Sequence, residues 1–186
     1  METRQRGNPA GNTNEHVGTN VRAARLAIGM DLRTFADRVK ATGRTMSASA
    51  LSKIENGDRR VDVDDLTVFA YILRTTPAAL LTPPDGAPAP AGVPEGQFTA
   101  EELQMWIQGR VKLTTEDLVR YWKEESFNAA SYSQRVERTL ALYDQGQVGI
   151  TPREVYEERL ASQRNRLEVT RSRILELDPT AIPLPD

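Results

Sequence analysis

Between Thr82 and Gln97 the chain reads TPPDGAPAPAGVPEGQ, and this stretch limits every fold its 186 residues could adopt. Its prolines and glycines interrupt helix and strand alike, and it carries almost no side chain able to fill a core. The spacing predicts a semi-extended linker over 84–97, with a separate folded unit on each side. A chain of this length accommodates two small domains. On both sides apolar residues recur every three or four positions, without the alternation of a half-buried strand. The expected fold class is therefore all-α.

Residues 1–16 have no apolar period and are expected to form a flexible arm. A helix is expected from about Thr19, with Val21, Ala24, Arg25 and Ile28 on one side and Gly29 as its stop. Asp31 is placed to cap a second helix, LRTFADRVK, whose apolar face is Leu32, Phe35, Ala36 and Val39. After the loop ATGRTM, Ser47 caps a third helix that ends at Asn56-Gly57. A fourth carries Leu66, Phe69, Ala70 and Leu73, and Thr76-Pro77 opens a short fifth. Residues 17–83 should thus form one unit, cored by Ile28, Phe35, Leu51, Ile54, Phe69 and Leu73.

Residues 98–186 also read as helical. Thr99 with Glu102 has capping-box spacing, and Thr114 with Asp117 resembles it. One helix is expected to carry Leu118, Tyr121 and Trp122, and a separate one Tyr132, Val136, Leu140 and Tyr143. Thr151-Pro152-Arg153-Glu154 predicts a capped start to a long terminal helix. Its Tyr156, Leu160, Leu167, Ile174 and Leu177 fit a heptad seam, interrupted by Gln163 and Thr170. That seam could join two chains into a homodimer or pack within its own domain. Trp106, Tyr121, Trp122, Phe127, Tyr132 and Tyr143 are expected to be helical core rather than the lining of a ligand pocket.

The chain has no cysteine and one histidine, His16, so disulfides and cysteine or histidine metal clusters are excluded. The first residues lack the apolar core of a secretion signal, and no apolar run is long enough to span a bilayer. A cytoplasmic, nucleoid-associated protein without membrane contact is expected. The charge is uneven. Val17 to Arg60 hold nine Lys and Arg against four Asp and Glu, whereas residues 84–186 hold twelve against seventeen. A polyanion is the partner such an N-terminal half suits.

The cations gather around MSASALSKIENGDRRVDV, Met46 to Val63. Its helix presents small side chains, so it can approach another molecule closely. Together with the helix before it, it makes a helix-turn-helix arrangement. The segment from NVRAARLAIG through SALSKIENGDRRVDVDDL to PAALLTP, about a third of the chain, resembles the Cro/XRE family of lambda-repressor-like DNA-binding domains. The resemblance implies a five-helix domain that inserts helix 47–56 into the major groove of double-stranded DNA. It also implies a structural ion pair between Arg25 and Glu55. Two departures stand out: Leu32 replaces the usual glutamine at the start of the second helix, and the loop KATGRTM is about five residues longer than the family pattern. Phosphate contacts at that edge are therefore assigned to Arg33, Arg44 and Thr45, with Ser47, Asn56, Arg59 and Arg60 completing the backbone grip. Ala48, Ser49, Ser52 and Lys53 are assigned to base edges. Arg4 and Arg6 on the arm could enter a minor groove.

No catalytic constellation emerges. Ala91-Gly92 resembles the self-cleavage bond of some repressors, but no strand-rich partner domain or serine-lysine dyad accompanies it. The pairs Glu101-Glu102, Glu124-Glu125 and Glu157-Glu158 point apart on helices, and no phosphate-binding glycine loop is present. No catalytic residue, cofactor or metal is expected. The reading is a sequence-specific transcriptional regulator, a repressor, in the style of actinobacterial or phage regulators. The rival is an antitoxin or similar regulator, whose C-terminal helices bind a protein partner and whose DNA binding serves autoregulation.

Overall fold

The computed structural model describes residues 10–147 and 151–181. Among these residues are eight helices and no strand: α1 (Asn12–Ala27), α2 (Leu32–Ala41), α3 (Ala48–Glu55), α4 (Val63–Ile72), α5 (Pro77–Leu81), α6 (Ala100–Ile107), α7 (Thr115–Asp144) and α8 (Arg153–Leu177). The fold is all-α, as the apolar spacing required. None of these helices is long and apolar enough to cross a membrane. Two compact units divide the chain at Arg110/Val111, later than the expected linker.

The first unit begins its helix early. α1 starts at Asn12 rather than near Thr19, so the last part of the expected 1–16 arm is helical. Its first buried positions are His16, Val17 and Gly18, and a histidine and a glycine at that face hide the apolar period. Arg4 and Arg6 lie outside the described residues.

α1 and α3 end alike. Gly29 and Gly57 adopt φ of 64° and 80°, and each donates to a carbonyl of the last helical turn. The next residues, Met30 and Asp58, reach back one position further, to Arg25 and Lys53. Glycine permits this left-handed stop at little cost. Asp31, Ser47 and Thr76 cap α2, α3 and α5 through their side-chain oxygens, as their positions predicted.

These short helices enclose one core. Phe35, Leu51, Ile54 and Phe69 are fully buried, with Val21, Val39, Leu73 and Leu80 around them. The Phe35 and Phe69 rings meet at 5.4 Å in a tilted pair. Ile28 is not part of this core and is 43% exposed. It falls at the C-cap of α1, where the chain has already left the buried face, and Met30 takes the inward place.

The Pro/Gly/Ala stretch is not a free linker. It folds back as a strap on α1: Asn12 Nδ2 donates to Ala89 O (3.0 Å), and Ala91 N–H donates to Thr13 Oγ1 (2.9 Å). Within the strap, Glu95 accepts from Ala89 N–H at 2.9 Å, and Ala89 and Pro90 are buried. Small, stiff residues suit such a strap because they lie flat and lose little entropy on ordering. α6 follows in the same unit, with the full reciprocal capping box of Thr99 and Glu102.

The second unit is a hairpin of α7 and α8. The two helices expected over 115–144 are one, because no glycine or proline interrupts that span. Its inner stripe is Leu118, Trp122, Ser126, Ala129, Ser133 and Val136. Small residues in the middle of that stripe let α8 approach closely. Part of the α8 seam is used within the chain: Leu160, Thr170 and Ile174 are buried against α7, whereas Tyr156, Gln163, Leu167 and Leu177 are half-buried. Thr151 does not cap α8. Helical residues begin at Arg153, and Pro152 occupies the cap without a side-chain bond. Arg153 instead pairs with Asp144 at the end of α7 and with Glu157 at 2.9 Å. Glu125–Arg166 and Glu137–Arg164 continue as ion pairs between the helices. Trp122 is core, but Phe127 is 63% exposed. Two helices can bury only one stripe each, which overturns the expected aromatic core.

Candidate nucleic-acid interface

α3 is held from behind by two contacts with α1. The first is the predicted pair: Arg25 Nε meets Glu55 Oε1 at 2.7 Å, and Arg25 Nη2 meets Glu55 Oε2 at 2.9 Å. Both side chains are buried, and the remaining Arg25 Nη1 donates to Met30 O at 2.6 Å. The bidentate bond to Glu55 is the main reason the Arg25 pKa rises, and it outweighs burial. Such a fork fixes geometry as well as charge.

The second contact escaped the sequence. A Cβ placed on Gly18 would lie 2.3 Å from Ile54 O, so α1 touches the backbone of α3 there. Only glycine allows that approach. No motif marked Gly18, which sits in a run of polar residues.

The outward face of α3 carries the residues assigned to base edges. Ser49 and Lys53 are exposed, and Ala48 and Ser52 are half-buried at its margins. Ser47 is exposed and accepts from Ala50 N–H at 3.1 Å, so its hydroxyl already serves the helix end. Thr45 and Asn56 flank the helix, both exposed, and Arg33 is exposed on α2.

Arg59 and Arg60 follow on a segment that α1 also secures. Asn14 Nδ2 donates to Arg59 O (3.2 Å), and Val61 N–H donates to Asn14 Oδ1 (2.9 Å). One amide therefore brackets Arg60 on both sides. Asn20 acts similarly at the end of α5, donating to Leu80 O at 3.0 Å and Thr82 O at 2.7 Å. Asn14 lay in the expected flexible arm and gave no signal of this role.

Arg44, expected at a phosphate, has its guanidinium committed within the chain instead: Nε to Asp65 (2.6 Å), Nη2 to Asp62 (2.8 Å) and Nη1 to Asp64 (3.2 Å). Partial burial opposes its charge, yet Asp65, Asp62 and Asp64 together raise its pKa. The acids belong there because the first turn of a helix attracts negative charge. Asp62 also caps α4 by accepting from Asp65 N–H, which is the main reason its carboxyl titrates low. The long loop between α2 and α3 is thus pinned at two points, by Arg44 on α4 and by Met46, which is buried in the core.

The site contains an exposed helix face, cations at its end and a rigid mount. No family model, no curated protein and no solved structure matches the chain.

Proposed function

We propose that the first unit binds duplex DNA by laying α3 in the major groove, and that the chain regulates transcription, as a repressor. The observation that carries this reading is the mount of α3. A buried two-bond ion pair and a glycine contact fix the backbone of a short helix whose outer face holds small and polar side chains. Packing alone does not require so exposed a helix to be fixed so firmly. Readout of base edges does, because bidentate contacts tolerate little displacement. Ser49, Ser52 and Lys53 face the bases in this reading, with Ala48 against a thymine methyl. Arg33, Thr45, Asn56, Arg59 and Arg60 hold phosphates.

Selection of bound sequences from random duplex DNA by the full chain tests the proposal. Enrichment of a short motif is expected. Arg59→Ala should weaken binding to every duplex and reduce its salt dependence, whereas Lys53→Ala should change the preferred base at one or two positions by about 1–3 kcal/mol. Absence of any enriched sequence would refute it.

A second reading concerns the other unit. Phe127 stands on the outer face of α7 beside an open groove of about 890 Å³, lined also by Tyr132, Arg135, Arg138 and Arg166. An exposed phenylalanine within a groove favours an interaction role, through self-association or a protein partner as in an antitoxin. Light scattering on the full chain and on Phe127→Ser separates them. A dimer lost in the variant supports self-association, and a monomer in both leaves a different protein as the partner.

A further inference from the structure

His16 is the one histidine of the chain; it is buried to 3% exposure, and the Pro88 carbonyl of the strap acts on its ring. Neither ring nitrogen has a hydrogen-bond partner of normal geometry. Buried polar groups without partners are rare and costly. An imidazole can remain there because its neutral form is far easier to bury than its cation.

We propose that His16 is a proton-operated latch: the strap of residues 84–97 closes over neutral His16 and opens when the imidazole gains a proton. Two hydrogen bonds join the strap to the first turn of α1, Asn12 on Ala89 O and Ala91 N–H on Thr13. His16 lies one turn beyond Asn12, so strap, first turn and imidazole form one local assembly. The same turn carries Asn14, which splints the Arg59–Val61 segment. Opening the strap therefore loosens the mount of Arg59 and Arg60.

The charges around the ring do not rescue a buried imidazolium. On α1 Glu15 attracts the proton, the smallest of the influences on the ring. From the strap, Glu95 is already engaged by Ala89 N–H, and Asp85 is exposed. α5, which packs on α1, has no charged residue, and on α3 Glu55 is taken by Arg25. Burial is the main reason the His16 pKa lies below the ordinary value, although the Pro88 carbonyl works in the other direction. The sign follows. With the closed-state pKa depressed, the open form binds the extra proton, so closure is complete above about pH 6.5 and weakens as the pH falls. Between the two pKa values the closed-to-open ratio drops about tenfold per pH unit.

A single histidine makes the test direct. Proton NMR of the full chain follows the imidazole, and amide exchange, corrected for intrinsic rates, reads the protection of Ala89 and Ala91. The expected result is a histidine pKa below the ordinary value, with loss of Ala89 and Ala91 protection over the same pH range while Phe35 and Ile54 stay protected. In His16→Phe, or His16→Gln should the first fold poorly, strap protection should no longer vary with pH. An imidazole titrating at or above its ordinary value overturns the latch. So does a strap whose protection varies with pH in the His16 variant as it does in the native chain. No DNA enters the measurement, so its outcome is independent of the binding proposal.

Discussion

The five short helices of the first unit and the two long helices of the second handle their side chains differently. Around α1–α5 the core is enclosed on all sides, and a charged pair is buried with both partners satisfied. In the hairpin each helix has one neighbour, so the buried stripe is narrow and partly serine and alanine, and Phe127, Leu142, Val169 and Leu175 stay outside; the five short helices also expose Leu26, Ile28, Val63 and Tyr71, but at or near the ends of α1 and α4. Enclosure fixes the position of a surface such as the face of α3. An open hairpin leaves an apolar face available. The first suits recognition that depends on fixed distances, the second an interface completed by another molecule.

Removing one partner from each unit's ion pairs should expose the contrast most strongly. Arg25→Leu leaves the Glu55 carboxylate buried without its cation and should cost the first unit about 3–5 kcal/mol. Arg25→Leu with Glu55→Leu should recover much of that loss. In the hairpin, Arg164→Leu removes a pair with both side chains about half exposed and should cost less than about 1 kcal/mol. Urea unfolding followed by amide exchange assigns each loss to its unit. Equal losses in the two would abolish the distinction.

Next in size is Ile174→Ala. Ile174 is 1% exposed, and its truncation should destabilise the hairpin by about 2–5 kcal/mol. Exchange protection at Phe35 and Ile54 should not change. Gly18→Ala should cost about 1–3 kcal/mol in the first unit, since the new methyl meets the Ile54 carbonyl and α3 must shift. Its consequence for DNA affinity should exceed that of an equally destabilising core truncation such as Val39→Ala. Equal effects of the two would mean that the position of α3 does not matter for binding.

How much of this was legible in the sequence follows from the same contrast. Local signals read well: Asp31, Ser47, Thr76 and Thr99 cap where their spacing placed them, and Gly29 and Gly57 stop helices. Phe35, Leu51, Ile54, Phe69 and Leu73 form core as expected. What failed depended on partners distant in sequence. The strap looked like a linker because its contacts are with Asn12 and Thr13, far along the chain. Arg44 looked like a phosphate ligand because its three aspartates lie a loop and a helix away. The α8 seam fitted a second chain as well as α7, since periodicity identifies a face without naming its occupant.

The smallest effect tests the local rules where they were broken. α4 ends as α1 and α3 do: Arg74 N–H reaches Tyr71 O at 3.3 Å, and Thr75 N–H reaches Ala70 O at 3.0 Å. The turning residue here is an arginine at φ 56°, the only non-glycine residue with positive φ among those described. Its Cβ crowds the backbone in that conformation, and its guanidinium makes no hydrogen bond or ion pair with the described residues. Arg74→Gly relieves the crowding but gives the unfolded chain more freedom, so the net gain should be about 0.5–1 kcal/mol. The urea midpoint should rise with the slope unchanged. Gly57→Arg should do the reverse at the end of α3, where φ is 80° and the added Cβ meets only the Glu15 side chain, at an ordinary contact distance of 3.4 Å. A fall in stability for Arg74→Gly, repeated in Arg74→Asn, which accepts the left-handed conformation without glycine's freedom in the unfolded chain, would show that the arginine side chain contributes more than its backbone strain removes. The end of α4 would then be a site held for its side chain, unlike the glycine stops of α1 and α3.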